Sequence, residues 1–266
     1  MKIVNFLPFS LAIIYLIILE LILNASQTQY SFLFNSGLSY LGVFGVLLIF
    51  LVILNTITAF LMTPKDQYST AINFAILPIT ASWSVLMYVV ILNNLWLLQI
   101  SAVLLVMLIY FYWRFVFFYF YNHKRYTSFS LDNLSFYVNF LIIFLTGAAA
   151  LGLRLLLALN IWMPLVLVAM VSAVVVYQQG WVSKYGKDKW FLLLGGWLVL
   201  VQVFIAILFL PHNHQLLGFV WATVYYLVIT LINDYLKKEL DRFKIKAYLI
   251  ITAISWLLLF LTAIWL

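Results

Sequence analysis

Charged residues are scarce in this sequence: only 8% of its 266 residues are Asp, Glu, Lys or Arg. Soluble domains carry about 25% charged and about 45–50% apolar residues, whereas this chain is 67% hydrophobic. So few charges could not cover a water-facing surface, and so much apolar side chain would not fit inside one core. The composition therefore excludes a soluble globular protein and predicts an integral membrane protein whose main partner is the lipid bilayer.

Cysteine is absent altogether, which excludes disulfides, Cys-based metal sites, thiol nucleophiles and palmitoyl anchors. The sequence also lacks a phosphate-binding Gly-Lys-Ser/Thr loop, a His-Glu-x-x-His motif, a Gly-x-Ser-x-Gly motif and a pair of intramembrane aspartates. Arg-rich voltage-sensor helices and carbonyl filter motifs are missing as well. The chain therefore shows no recognisable catalytic signature, and we predict neither a cofactor nor a bound metal.

Long apolar runs make up most of the chain, whose mean hydropathy is +1.16. In a bilayer the backbone polar groups need partners within the protein, which leaves helices or closed barrels. Barrel strands would be about 10 residues long with alternating polarity, whereas these runs approach the roughly 20 residues of a spanning helix. We predict an all-α, polytopic transmembrane bundle, forming a single integral membrane domain over residues 1–266. Its nine spans are Phe6–Leu23, Tyr40–Met62, Ala71–Leu92, Leu95–Tyr121, Leu134–Leu157, Ile161–Tyr177, Trp190–Leu210, Leu216–Ile232 and Tyr248–Leu266.

Lysine and arginine outside the spans fall on one side of a nine-span chain. They are Lys2, Lys65, Lys124, Arg125, Lys184, Lys187, Lys189, Lys237, Lys238, Arg242, Lys244 and Lys246. The opposite loops contain neither residue; they are Asn24–Ser39, Asn93–Asn94, Ala158–Asn160 and Pro211–Gln215. The positive-inside rule then places the N-terminus in the cytoplasm and the C-terminus outside. The net charge of +7 therefore indicates the topology of a cell-membrane protein rather than nucleic acid binding.

The first span has an alternative interpretation as a cleaved signal peptide, because Lys2 and an apolar core precede Asn24-Ala25-Ser26. The core is longer than the usual 7–15 residues of a signal peptide, and Leu23 is a poor small-residue partner for Ala25. These departures favour a retained span.

A weak repeat follows the spans. Asn94-Leu95-Trp96 and Asn160-Ile161-Trp162 open two helices that run inward in this topology, and Asn213 lies at the corresponding point of a third. One interpretation is a series of tandem helical hairpins in the same orientation. The alternative is that Asn and Trp simply favour the membrane interface.

Small residues and proline indicate where helices approach or bend. Glycines at Gly45, Gly147 and the Gly195-Gly196 pair predict close packing of helix backbones. Pro78, inside the third span, predicts a kink because it removes a backbone donor.

The segment 235–247 combines apolar residues at helical spacing with several lysines. It fits an amphipathic helix lying on the inner leaflet, with anionic lipid as the partner of Lys237–Lys246. An ordinary basic loop fits the composition equally well.

Three ionisable residues, Glu20, Arg114 and Arg154, lie within predicted spans, where charge is costly and often functional. Glu20 and Arg154 lie near outer span ends, so they could form an ion pair or extend to the headgroups. The functional alternative is an outer polar pocket in which Arg154 binds an anionic substrate group. For Arg114, among aromatic residues at the inner end of its span, an interfacial position is predicted.

Two histidines, His212 and His214, occupy the outer turn after the seventh span. They are weak candidates for a general base or for metal ligands, with Glu20 as a third group, because a catalytic zinc site needs three protein ligands. The alternative is that both are polar residues completing a short helix turn.

Neutral polar residues are scattered through the spans. They are Asn55, Thr56, Thr58, Asn73, Thr80, Gln99, Ser101, Asn139 and Gln202. Interhelical hydrogen bonds are their default use, but a line of them facing one cavity would form a permeation or substrate path.

Two hypotheses about function follow. The first is a protein without catalytic activity: a small-molecule or lipid transporter, or an assembly partner of other membrane proteins. The second is an outer-face membrane enzyme acting on lipid or lipid-linked substrates, using His212 or His214 together with Glu20 and Arg154. The missing catalytic motifs favour the first.

Overall fold

The structure, a computed structural model, describes residues 2–27, 37–92, 95–122, 130–182, 189–210 and 213–262. These residues form α-helices and one short 3₁₀ helix, Lys65–Gln67, and no strand, so the all-α prediction is confirmed. The helices are α1 (Lys2–Gln27), α2 (Gly37–Met62), α3 (Tyr68–Val89), α4 (Leu95–Tyr121), α5 (Ser130–Leu157), α6 (Trp162–Val182), α7 (Lys189–Ile207), α8 (His214–Leu236) and α9 (Arg242–Thr262). Each predicted span overlaps one of these helices.

Among the described residues, six helices, α3 to α8, are long and apolar enough to cross a membrane. Two shorter apolar stretches, Phe6–Glu20 and Leu48–Met62, lie in α1 and α2. Helix α9 begins with Arg242, Lys244 and Lys246 and is not among the six. The helices fit a multi-pass membrane protein, whereas nine crossings and the orientation of the termini stay predictions.

Lipid-facing surfaces are visible as large apolar side chains that the protein does not cover. In the most apolar part of α7 only 28% of the residues are buried, and in α4 the share is 39%. Helices of a soluble protein would place polar residues on such faces. Exposure of such apolar side chains has little free-energy cost in the hydrocarbon of a membrane.

The chain divides into two compact units, unit 1 (Met1–Ser135) and unit 2 (Phe136–Leu266). In unit 1, α1 packs against α4, α2 packs against α3, and α3 packs against α4. In unit 2, α7 packs against α6 and α8, and α8 packs against α9. The boundary falls inside α5, which contributes most of its length to unit 2.

Helix α3 continues through Pro78, although proline has no N–H to bond the carbonyl four residues earlier. That carbonyl belongs to Phe74, and the buried hydroxyl of Tyr112 on α4 donates to it at 2.8 Å. The proline thus removes one donor from the Phe74 carbonyl, and a hydroxyl on a neighbouring helix donates to it instead.

Close backbone approach joins α5 and α8 in unit 2. A Cβ added to Gly218 would lie 2.7 Å from the backbone nitrogen of Ala148, and one added to Gly147 would lie 2.7 Å from the Trp221 ring. The predicted packing role is confirmed at Gly147 and at Gly196, which faces Val228 and Ile232 on α8. At Gly45 and Gly195 it is wrong, because an added Cβ would meet nothing within 4 Å.

Tryptophan side chains link successive helices of unit 2. Trp197 on α7 donates to the carbonyl of Ala169 on α6 at 3.0 Å, and Trp221 on α8 donates to the carbonyl of Leu200 on α7 at 3.0 Å. Trp256 on α9 donates to the Thr223 hydroxyl on α8 at 2.7 Å. Each bond satisfies an indole N–H that would be costly to bury unpaired.

The basic segment 235–247 is not one helix in the structure, so a continuous amphipathic helix there is wrong. Helix α8 ends at Leu236 and α9 begins at Arg242. Lys238 has φ 58, and the Glu239 N–H bonds the Asp234 carbonyl at 3.0 Å, which is the bond pattern of a helix C-terminus ending in a left-handed residue. The helix therefore stops within the lysine run rather than continuing along a membrane surface.

Candidate functional site

A buried polar cluster lies in unit 1, built from one residue of each of its four long helices. Tyr15 comes from α1, Asn55 from α2, Ser82 from α3 and Trp113 from α4, and each side chain is at most 1% exposed. We call these four residues the unit 1 cluster. Polar groups so far from solvent are costly unless they bond one another.

The hydrogen bonds of the unit 1 cluster run in one direction. The Trp113 indole donates to Asn55 Oδ1 at 3.4 Å, and Asn55 Nδ2 donates to the Tyr15 hydroxyl and to the Leu51 carbonyl. The Ser82 hydroxyl donates to the Pro78 carbonyl at 2.6 Å, so its oxygen accepts from Tyr15 at 2.9 Å. All polar side-chain atoms of the cluster are thereby paired, which favours a rigid core.

A second buried cluster lies in unit 2. Asn139 comes from α5, Gln178 and Gln179 come from the end of α6, and Tyr225 comes from α8; none is more than 5% exposed. Asn139 Nδ2 donates to Gln178 Oε1 at 2.6 Å and lies 3.3 Å from Gln179 Oε1. We call these four residues the unit 2 cluster.

The unit 2 cluster leaves hydrogen bonds unmade. Asn139 Oδ1, Gln178 Nε2 and the Tyr225 hydroxyl are buried without a partner. Asn139 lies beside the Tyr225 hydroxyl, but without the geometry of a hydrogen bond. Turning both amides by 180° exchanges donor and acceptor but still makes only one hydrogen bond between the two amides.

Arg154 lies in the last turn of α5 and is half-buried, and its position on the outer side stays a prediction. Its Nη1 donates to the carbonyl of Leu208 at 2.7 Å, just beyond the end of α7. A cation at a helix C-terminus satisfies a carbonyl that lacks an intrahelical partner and interacts favourably with the helix dipole. The structure thus gives Arg154 a helix-capping contact.

The other predicted outer residues have separate surroundings. Glu20 is exposed on α1, in unit 1, whereas Arg154 belongs to unit 2, so their pairing stays a prediction. His214 is the half-buried first residue of α8, which Asn213 caps by accepting from the Gln215 N–H at 2.9 Å. His212 lies outside the described residues.

Metal ligation was the other role considered for the histidines. Across the described part of the chain, no three His, Cys, Asp or Glu side chains come together in a group that could hold a metal ion.

Arg114 is exposed on α4, one helical turn from aromatic residues on either side. It donates to the Tyr110 hydroxyl, and its guanidinium lies 5.6 Å from the ring centres of both Tyr110 and Phe118. Its guanidinium and stem are thus covered by aromatic faces, while the interfacial position of Arg114 stays a prediction.

Most of the neutral polar residues noted in the spans do not converge. Hydroxyls of Thr56, Thr58, Thr80 and Ser101 bond carbonyls of their own helices, and Gln99 and Gln202 are exposed. Only Asn55 and Asn139 enter the buried clusters. Sequence reasoning missed Tyr15, Ser82, Trp113, Gln178, Gln179 and Tyr225 as cluster members; a polar aromatic residue in mid-span is the signal that could have identified Tyr15 and Tyr225.

Comparison with known proteins adds one finding: no family model matches the chain, and neither do the curated proteins or the solved structures. The chemistry of the clusters is nevertheless specific. Amide and hydroxyl groups bind neutral polar groups by hydrogen bonds, whereas proton transfer and nucleophilic attack need groups with suitable pKa values or activation. The unit 2 cluster, which has unpaired groups, is therefore the one suited to binding.

Proposed function

We propose that the chain is a nine-span protein of the cell membrane that acts without catalysis, as a small-molecule or lipid transporter or as an assembly partner of other membrane proteins. Its N-terminus lies in the cytoplasm and its C-terminus outside. Within this proposal the transporter function has the stronger support.

The nine-span topology is supported by two independent patterns. Each predicted apolar run coincides with a helix, and cations outside the runs occur only in alternate loops. Removing or adding one internal span would place basic loops on both sides, against the positive-inside rule.

One observation supports binding of a solute more than any other. The unit 2 cluster buries three polar atoms without partners between three helices, and transporter sites are typically built from polar groups at such interhelical positions. The ionisable groups have structural contacts instead, since Arg154 caps α7 and Arg114 lies among aromatic rings.

Anionic lipid of the inner leaflet is the proposed partner of Lys237–Lys246. Five cations in this short stretch would attract it by about 1 kcal/mol each. Part of the charge is offset locally, since Lys244 lies 3.5 Å from Glu239.

Reconstitution into lipid vesicles tests the function. We expect faster flux of small neutral solutes, or faster lipid exchange between leaflets, than in empty vesicles, and an Asn139→Leu, Gln178→Leu variant should lose the gain if unit 2 carries the solute. Thr56→Val is the matched control, because that hydroxyl bonds only its own helix. Chemical conversion of a lipid substrate by the purified protein would contradict the proposal.

The enzyme alternative keeps one supporting observation. Arg154 contacts Leu208, six positions before His214, so an anion-binding group and the histidine turn lie at the same end of unit 2. Lipid turnover that His214→Ala or His212→Ala abolishes would establish this alternative. Unchanged behaviour of both variants would favour the transporter.

A further inference from the structure

We propose that the unit 2 cluster holds a small neutral guest that both donates and accepts hydrogen bonds, either a water molecule or the amide or hydroxyl group of a solute. The guest would lie between α5, α6 and α8 and bond Asn139, Gln178 and Tyr225. This site goes beyond the transport function and does not depend on it.

The unpaired atoms define what the guest must offer. Asn139 Oδ1 needs a donor, Gln178 Nε2 needs an acceptor, and the Tyr225 hydroxyl can take either role. Native proteins seldom bury polar side-chain atoms without a protein or water partner. Three such atoms in one cluster therefore indicate a partner that belongs to the site.

The cluster also limits the charge and size of the guest. None of its four side chains is a carboxylate, an amine or a guanidinium, so an ion would be desolvated without a counter-charge. All four are at most 5% exposed, so a guest among them must be small, a single water or a group of similar size. A buried water makes two to four hydrogen bonds at such sites.

The unit 1 cluster is the internal comparison. It contains the same kinds of group, an asparagine, a tyrosine and neighbouring donors, at equal depth. There every polar atom finds a protein partner, so no guest is required. The difference between the clusters is in pairing rather than in composition or burial.

Removal of one hydroxyl from each cluster tests whether the guest exists. If a guest bonds Tyr225, Tyr225→Phe should lower the melting temperature in detergent by about 2–6 °C. If the hydroxyl has no partner, the same change removes a buried unpaired group and should leave the melting temperature equal or higher. Tyr15→Phe should lower it in either case, which shows that the measurement detects one lost hydrogen bond.

A second variant covers the risk that Tyr225→Phe fails to fold. Gln178→Met keeps the length of the side chain and removes the Nε2 donor together with its carbonyl. Titration with acetamide then identifies the source of the guest, with acetone, which has the same shape but no N–H donor, as the control.

The outcomes separate clearly. A saturable rise in melting temperature with acetamide but not acetone, lost in Gln178→Met, indicates a solute group. No acetamide response together with a destabilised Tyr225→Phe indicates water, which also supports the proposal. A melting temperature at or above wild type for Tyr225→Phe, with no acetamide response in the wild-type protein, would overturn it; Gln178→Met loses the Asn139 bond in any case, so only its acetamide response is compared. Melting temperature does not depend on vesicle flux, so failure of the transport function would be recognised separately.

Discussion

Unit 1 and unit 2 use buried polar side chains in different ways. In the unit 1 cluster the chain of bonds from Trp113 through Asn55 and Tyr15 ends on Ser82 and the Pro78 carbonyl, and each polar side-chain atom of these four residues is paired. In unit 2 the amides of Asn139 and Gln178 bond each other and leave part of their capacity unused. A paired network specifies helix positions, whereas an incomplete one is a candidate binding site.

The units also differ in what fixes their helices. Unit 1 joins all four of its long helices through side-chain hydrogen bonds. Unit 2 relies on the close approach of Gly218 to Ala148 and on tryptophan N–H bonds to backbone carbonyls. We infer that loss of a polar side chain destabilises unit 1 more than unit 2. A change of side-chain volume should destabilise unit 2 more than unit 1.

The largest expected effect is on the unit 1 network. Asn55→Leu keeps the side-chain volume but leaves the Trp113 N–H without an acceptor and the Tyr15 oxygen without its donor. We expect a loss of about 2–5 kcal/mol in unfolding free energy, because each unpaired buried group costs about 1–3 kcal/mol. Denaturant unfolding in detergent, followed by circular dichroism, measures it.

The neighbouring Thr56→Val serves as the control for Asn55→Leu. Its hydroxyl donates to the Val52 carbonyl of its own helix at 2.8 Å. Thr56→Val should therefore change the unfolding free energy by no more than about 0.5 kcal/mol. Equal effects of the two substitutions would mean that the network does not stabilise unit 1.

The second prediction concerns backbone contact in unit 2. Gly218→Ala should destabilise by about 1–3 kcal/mol, because the added Cβ would lie 2.7–3.0 Å from atoms of Ala148 and overpacked sites relax at a cost. Gly195→Ala is the matched control, since its Cβ meets nothing within 4 Å and alanine favours helix. Thermal unfolding compares the melting temperatures of the two variants. An unchanged melting temperature for Gly218→Ala would contradict the proposal that unit 2 depends on close backbone packing.

The third prediction couples Tyr112 to Pro78. Tyr112→Phe removes the buried hydrogen bond from the hydroxyl to the Phe74 carbonyl and should lower the unfolding free energy by about 0.5–1.5 kcal/mol. In a Pro78→Ala background the helix regains the N–H that bonds this carbonyl, so the same substitution should cost less. A double-mutant cycle measures the coupling, and a coupling of zero would contradict the assigned pairing.

The smallest expected effect is a gain in stability. Ala158 ends α5 with φ 48, a conformation that costs a residue with a Cβ about 1 kcal/mol and glycine little. Ala158→Gly should therefore stabilise by roughly 0.5–1 kcal/mol, measured as a rise in melting temperature. Ala173→Gly, inside α6, should lower the stability by a similar amount. If Ala158→Gly also lowered the stability, Ala158 would not have the left-handed conformation.

The sequence predicted the positions of the helices well because apolar run length is a local property. It did not predict the clusters, since Tyr15 and Ser82 are 67 positions apart and no periodicity records which polar side chains meet. The helix end at Lys238 was missed for a different reason, because lysine seldom adopts positive φ. Arg154 was recognised as an ionisable residue within a span, but its partner is the backbone carbonyl of Leu208. Every residue has such a carbonyl, so the sequence cannot indicate which one is the partner.

A bilayer around both units is the central claim, and single-cysteine labelling tests it most directly. The chain has no native cysteine, so Lys187→Cys and Asn213→Cys can be compared in intact cells without a modified background. We predict that a membrane-impermeant maleimide labels position 213 at once and position 187 only after the membrane is permeabilised. Labelling of both positions from the same side would contradict the alternating topology and the cytoplasmic assignment of the basic loops.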